Sequence, residues 1–135
     1  MVNIYCSPTG QFPGMQPSGK VQLQATVDNL RRGNKSFVLI VENKSSDQTI
    51  DVPIHDLSLS DNFGNTYEFD RFAMHGTGLK KTVPPNKKIK IRYVLQSPIN
   101  PNASSITFTL DGLWTKPADT PFTTPLPLVQ WTTNL

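Results

Sequence analysis

Soft-ligand and nucleophile chemistry is thinly supplied in this chain of 135 residues: two histidines, His55 and His75, and one cysteine, Cys6. A zinc centre takes three or four ligands at regular, short spacing. These three lie far apart, so no metal is expected. A Ser-His-Asp relay needs a histidine delivered to an exposed serine. No G-x-S-x-G elbow is present, and Gly76-x-Gly78 matches neither a dinucleotide-binding nor a nucleotide-binding loop. Asp56, Asp61, Glu68 and Asp70 crowd one stretch, and Asp61-x-x-Gly-Asn reads like the start of a calcium loop. The alternating oxygen ligands and distal glutamate of such a loop are missing. Asp and Asn also shape turns with no ion at all. The expectation is a chain with no catalytic residue, no metal and no cofactor, and therefore not an enzyme.

The remaining chemistry is that of surfaces. Lys88, Lys90 and Arg92 alternate with Ile89, Ile91 and Tyr93. Strand side chains point to opposite faces with a period of two. The cations therefore share a wet face, with Lys80, Lys81 and Lys87 close by in the sequence. Such a stripe keeps an exposed sheet soluble and blocks edge pairing. It also fits an acidic protein or an anionic polysaccharide. Nucleic acid is not expected, because aromatics usually interleave the charges there and Tyr93 falls on the opposite parity. The net charge of +3 is only mildly basic. Exposed aromatics are the usual platform for sugars. Of the two tryptophans, Trp114 ends a strand and is expected at the core or rim. Trp131 lies in the tail and joins Lys88, Lys90 and Arg92 as the candidate partner surface.

The elements that carry these residues are strands. Val21, Leu23, Ala25 and Val27 alternate with polar residues over Lys20–Asn29. Ser36–Asn43 is apolar on both parities, which predicts a central strand covered on both sides. A short strand over Gln48–Val52 stops at Pro53. A hairpin follows, with Leu57 and Leu59 inward on one arm, Tyr67 and Phe69 on the Thr66–Asp70 arm, and Gly64 free to take positive φ in the turn. Leu79–Val83 is a short edge strand, Pro84-Pro85-Asn86 turns into a strand over Lys87–Gln96, and Ser105–Leu110 carries Ile106, Phe108 and Leu110 inward. The 12 prolines are excluded from helix interiors and central strands, and no helical stripe is present. From Thr115 onward Pro117, Pro121, Pro125 and Pro127 favour extended chain. Leu126, Leu128, Val129 and Trp131 then offer apolar surface for an added strand. The predicted fold is all-β: an immunoglobulin-like antiparallel sandwich of about seven or eight strands, with a closed barrel as competitor. The single cysteine excludes the antibody-like subtype. Predicted boundaries are 1–19 for an N-terminal tail or loop, with a short strand over Val2–Cys6, then 20–114 for the sandwich and 115–135 for a proline-rich extension docked as an extra strand.

Several segments together are similar to a known pattern. Phe37–Asn43 with its polar turn, Leu57-Ser-Leu-Ser-Asp-Asn-Phe-Gly-Asn-Thr-Tyr67, Val83-Pro-Pro-Asn-Lys-Lys-Ile89 and the closing strand Ser105–Leu110 cover residues 20–113. They resemble the telokin-like, immunoglobulin-like domains of unknown function found in bacterial extracytoplasmic proteins and lipoproteins. Asn86 stands where that pattern usually has Gly, and Asn tolerates the same left-handed backbone. The resemblance implies a non-catalytic protein–protein interaction or structural module of a bacterial envelope or secreted protein. A carbohydrate-binding module and an accessory domain of an enzyme or an inhibitor are the alternatives. No stretch approaches the ~18 apolar residues of a membrane span, and no leader peptide is visible. The chain is expected to be either intracellular or an excised mature region behind an introduced Met1. The resemblance favours the extracytoplasmic side.

Overall fold

The computed structural model describes residues 3–6, 23–117, 121–126 and 128–135. Val21, the Pro/Gly-rich stretch 7–22 and Pro127 lie outside them. The strands are β1 (Asn3–Cys6), β2 (Leu23–Asp28), β3 (Ser36–Asn43), β4 (Gln48–Pro53), β5 (Leu57–Asp61), β6 (Thr66–Tyr67), β7 (Lys80–Val83), β8 (Lys88–Val94), β9 (Ser105–Leu110), β10 (Trp114–Pro117), β11 (Thr124–Pro125) and β12 (Val129–Asn134). No helix occurs among the described residues.

One layer is the antiparallel sheet β1-β2-β3-β8. The other is built from two antiparallel sheets, β11-β10-β4-β7 and β12-β9-β5-β6. These two are halves of one bent surface. Trp114 pairs with Pro125 and Leu110 with Val129, so β11–β12 runs beside β9–β10 in one register. The Leu126 N–H donates to the Leu113 carbonyl at 2.8 Å across the gap. On the other side, Asp51 pairs with Trp114 and Leu57 with Leu110. That leaves residues 52–56 facing only 111–113, so the β4–β5 chain bulges.

All three strands change phase at this level. The buried series runs Ile50, Val52, Ile54 and then Leu57, Leu59. It runs Ile106, Phe108, Leu110 and then Leu113, Thr115, and likewise Leu126 and then Val129, Trp131, Thr133. Each step at the bend is three residues instead of two. One extra residue sends every later side chain to the opposite face, and bulges are how strands turn such corners.

The layers meet through aromatic rings. Phe37 on β3 stacks on Tyr93 on β8 at 5.2 Å and meets Phe108 on β9 edge-on at 5.6 Å. Tyr93 touches Phe69 at 4.9 Å, and Phe108 stacks on Trp131 at 5.1 Å. Tyr93 also donates its hydroxyl to the Ile54 carbonyl at 2.8 Å. Burial holds that phenol protonated, raising its pKa well above the ordinary value, with the Asp56 charge adding to the rise. Asn43, fully buried, ties the layers at one end. Its Nδ2 donates to the carbonyls of Gln48 at 2.7 Å and Val83 at 3.0 Å, and its Oδ1 accepts from the Ser45 N–H at 2.9 Å.

Two expectations need correction. β3 is central, but only Phe37, Leu39, Val41 and Asn43 are buried, while Val38 and Ile40 are half-exposed. They sit across from Arg92 and Lys90 in the register, on a face where long cations shade apolar surface with their stems. The second hairpin arm is shorter than Thr66–Asp70. Only Thr66–Tyr67 pairs with β5, and Phe69 bridges to Leu95 instead. Among the described residues beyond Leu113, β10, β11 and β12 complete the bent surface, and β12 covers the outer edge of β9.

Candidate functional site

The phase change decides which side chains reach solvent beyond the bend. Strict alternation from Leu110 would put Trp114 inside. The extra residue puts Leu113 and Thr115 inside and turns Trp114 out, 42% exposed. Beside it, alternation on β4 buries Ile50 and Val52 and leaves Asp51 and Pro53 facing out. Trp114, Asp51 and Thr82 form one cross-strand row. Thr82 Oγ1 donates to Asp51 Oδ1 at 2.8 Å, and Lys80 Nζ lies 3.7 Å from Asp51 Oδ2.

Trp114, Asp51 and Lys80 line a cleft of about 480 Å3, within the ~300–1,000 Å3 range of small-molecule sites. Trp114 and Thr123 stand on one side, Leu79 and Lys80 on the other. Asp51, Pro53, Asp56 and Gly112 complete it. Leu79 is 80% exposed. Gly112 takes φ +76°, and a Cβ there would lie 3.1 Å from Asp56 Oδ2. The absent side chain is what lets the Asp56 carboxylate sit over the backbone at the bend.

The residues singled out in the sequence are arranged differently. Lys88, Lys90 and Arg92 are all exposed on the edge strand β8, as expected, and none forms an ion pair among the described residues. Lys80 belongs to the cleft rather than to the stripe. Trp131 is corrected as a surface residue: it is 4% exposed and stacked on Phe108 in the core. Of the two tryptophans, Trp114, expected at the core or rim, is the one that reaches solvent.

Asp61 is fully engaged in the turn. Its Oδ1 accepts from the backbone N–H of Phe63 at 2.9 Å and of Asn65 at 3.0 Å. Its Oδ2 accepts from Asn65 Nδ2 at 3.1 Å and from the Tyr67 hydroxyl at 2.9 Å. Burial alone would raise this carboxyl. The hydrogen bonds from Tyr67, Asn65 and Phe63 outweigh it and hold the pKa below the ordinary 3.8. Tyr67 in turn accepts the Asn100 N–H at 3.0 Å. Burial raises its pKa, the Asn100 bond opposes the rise, and Asp61 adds to it. This is a hairpin clasp: four protein donors already converge on the carboxylate.

His55 lies in the bulge between β4 and β5, with Nδ1 buried and unpartnered among the described residues. His75 is exposed in the turn after Asp70, which caps it by accepting the Ala73 N–H at 3.0 Å. Cys6 belongs to β1. Among the described residues, no three His, Cys, Asp or Glu side chains gather as a metal site. Among the same residues no helix is long and apolar enough to cross a membrane.

No known protein family matches the chain, and no curated protein does either. Among solved structures, the yjhA protein from Bacillus subtilis overlays with a TM-score of 0.40 at 16% sequence identity, over 69% of this chain and 73% of that one. At that level the likeness decides neither fold family nor function.

Proposed function

We propose that this chain is a non-catalytic binding module of the immunoglobulin-like sandwich type, and that its contact surface is the cleft around Trp114. The observation that carries the proposal is a half-exposed indole set among a carboxylate, an ammonium and a hydroxyl on a rigid sheet. Burying such a ring removes much apolar area from water, which is why tryptophan dominates contact energies. The alternative chemical centre, Asp61, spends its oxygens on the turn that holds it. A protein and a polysaccharide are the two classes of partner such a module would take.

Glycan and peptide arrays probed with three proteins test this: the parent chain, Trp114→Ala, and the triple variant Lys88→Glu/Lys90→Glu/Arg92→Glu. The parent's strongest ligand should weaken by about tenfold or more on Trp114→Ala, the loss of at least ~1.4 kcal/mol, and survive the triple change. Binding that survives Trp114→Ala and fails in the triple variant would move the contact surface to β8 and refute the assignment.

A further inference from the structure

We infer that the ligand of this cleft is a neutral pyranose oligosaccharide, with Trp114 as its stacking platform. The inference rests on the binding-module proposal and names the occupant. A pyranose ring has an apolar face of C–H groups and a rim of hydroxyls that both donate and accept. An indole presents a flat, electron-rich face, and Trp114 presents one at 42% exposure. Around it stand acceptors, Asp51 and Asp56, and donors, Lys80 and Thr123. That mixture matches hydroxyls, which need both, better than it matches any single charge.

Local charge narrows the choice. Asp51 and Lys80 offset each other at 3.7 Å, and Asp56 leaves the cleft slightly negative in a chain of net charge +3. An anionic sugar would face two carboxylates against one ammonium. A cation would have to take Asp51 from Lys80. A neutral ligand meets neither cost. Asp51 is also held in place: it sits in mid-strand, and Thr82 donates to one of its oxygens at 2.8 Å. Preorganised groups lose little freedom on binding. At about 480 Å3 the cleft has room for more than one ring, which favours an oligosaccharide over a monosaccharide.

The test is tryptophan fluorescence of the full chain titrated with cellohexaose, xylohexaose, mannohexaose and chitohexaose, with polygalacturonate as the anionic control. Trp131 is buried, so acrylamide quenching reports mainly on Trp114. At least one neutral hexaose should protect Trp114 from quenching at millimolar concentration, and polygalacturonate should not. Affinity, read by isothermal titration calorimetry because changes at Trp114 remove the fluorescent reporter, should fall about tenfold or more in Trp114→Ala, much less in Trp114→Phe, and severalfold in Asp51→Asn, each variant melting like the parent. If no neutral hexaose protects Trp114 while an array peptide binds through it, the sugar assignment is overturned and the binding module stands. If no ligand of either class depends on Trp114, both fall.

Discussion

Replacing Asn43 with leucine keeps the volume of a fully buried side chain and deletes three hydrogen bonds at once. Two carbonyls, of Gln48 and Val83, lose a donor, and the Ser45 N–H loses its acceptor. A typical bond contributes about 1 kcal/mol net, but a buried partner left unmet costs about 1–3 kcal/mol. Gln48, Val83 and Ser45 are each no more than 3% exposed, so water does not readily replace the amide. The expected loss is roughly 3–6 kcal/mol, out of the ~5–15 kcal/mol that holds such a domain. At about 3–4 °C per kcal/mol for this size, the melting temperature should drop by about 10–20 °C in a far-UV circular dichroism melt. Asn43→Asp gives a pH signature as well. Its carboxylate would face the same two carbonyls unpaired, so the folded-state pKa of the introduced acid is raised. The variant should be least impaired below the unfolded-state value and lose stability as pH rises through the folded value. A leucine variant melting within about 2 °C of the parent would refute the idea that this amide ties the layers together.

Asp61 should act in the opposite sense. Its folded-state pKa is depressed, so its contribution is complete above 3.8 and lost as pH falls through the lower folded value. Asp61→Asn should cost roughly 2–3 kcal/mol at neutral pH and converge with the parent in acid, as read by urea titrations across pH. Phe108→Asp, an uncompensated charge in the aromatic stack, should unfold the chain. Lys90→Glu, exposed on β8, should stay within about 0.5 kcal/mol. A Lys90→Glu protein less stable than Phe108→Asp would invert the face assignment. Deleting residues 128–135 removes β12 and bares the edge of β9. That variant should associate on size-exclusion chromatography, and a monomer melting like the parent would make β12 dispensable.

Legibility in the sequence followed the regularity of the alternation. β9 runs over Ser105–Leu110, the expected span, because nothing interrupts its period, and β3 over Ser36–Asn43 because polar turn residues bound its apolar run on both sides. Asn86 and Gly64 take positive φ as their turn chemistry demands. The exposure of Trp114 was not legible. Placing Trp114 requires knowing that a residue is gained between Leu110 and Leu113, and the prolines downstream hide β10 and β11 from any propensity argument. One signal was available: Leu113 and Thr115 continue a period of two that is out of step with Leu110. The cleft itself gathers residues 51–56, 79–80, 112–114 and 123, segments that only tertiary pairing brings together.

The simultaneous phase change in β4–β5, β9–β10 and β11–β12 turns a steric requirement into an arithmetic one. Losing a single residue at the bend in one strand would invert the half beyond it, putting Trp114, for instance, in the core and Thr115 in water. Two residues could be gained or lost there without that inversion. Chains sharing this bend should therefore differ in length at that level by even numbers, or else shift all three strands together. Parity of loop length, rather than residue identity, is then the trait by which descendants of such a sheet could be traced.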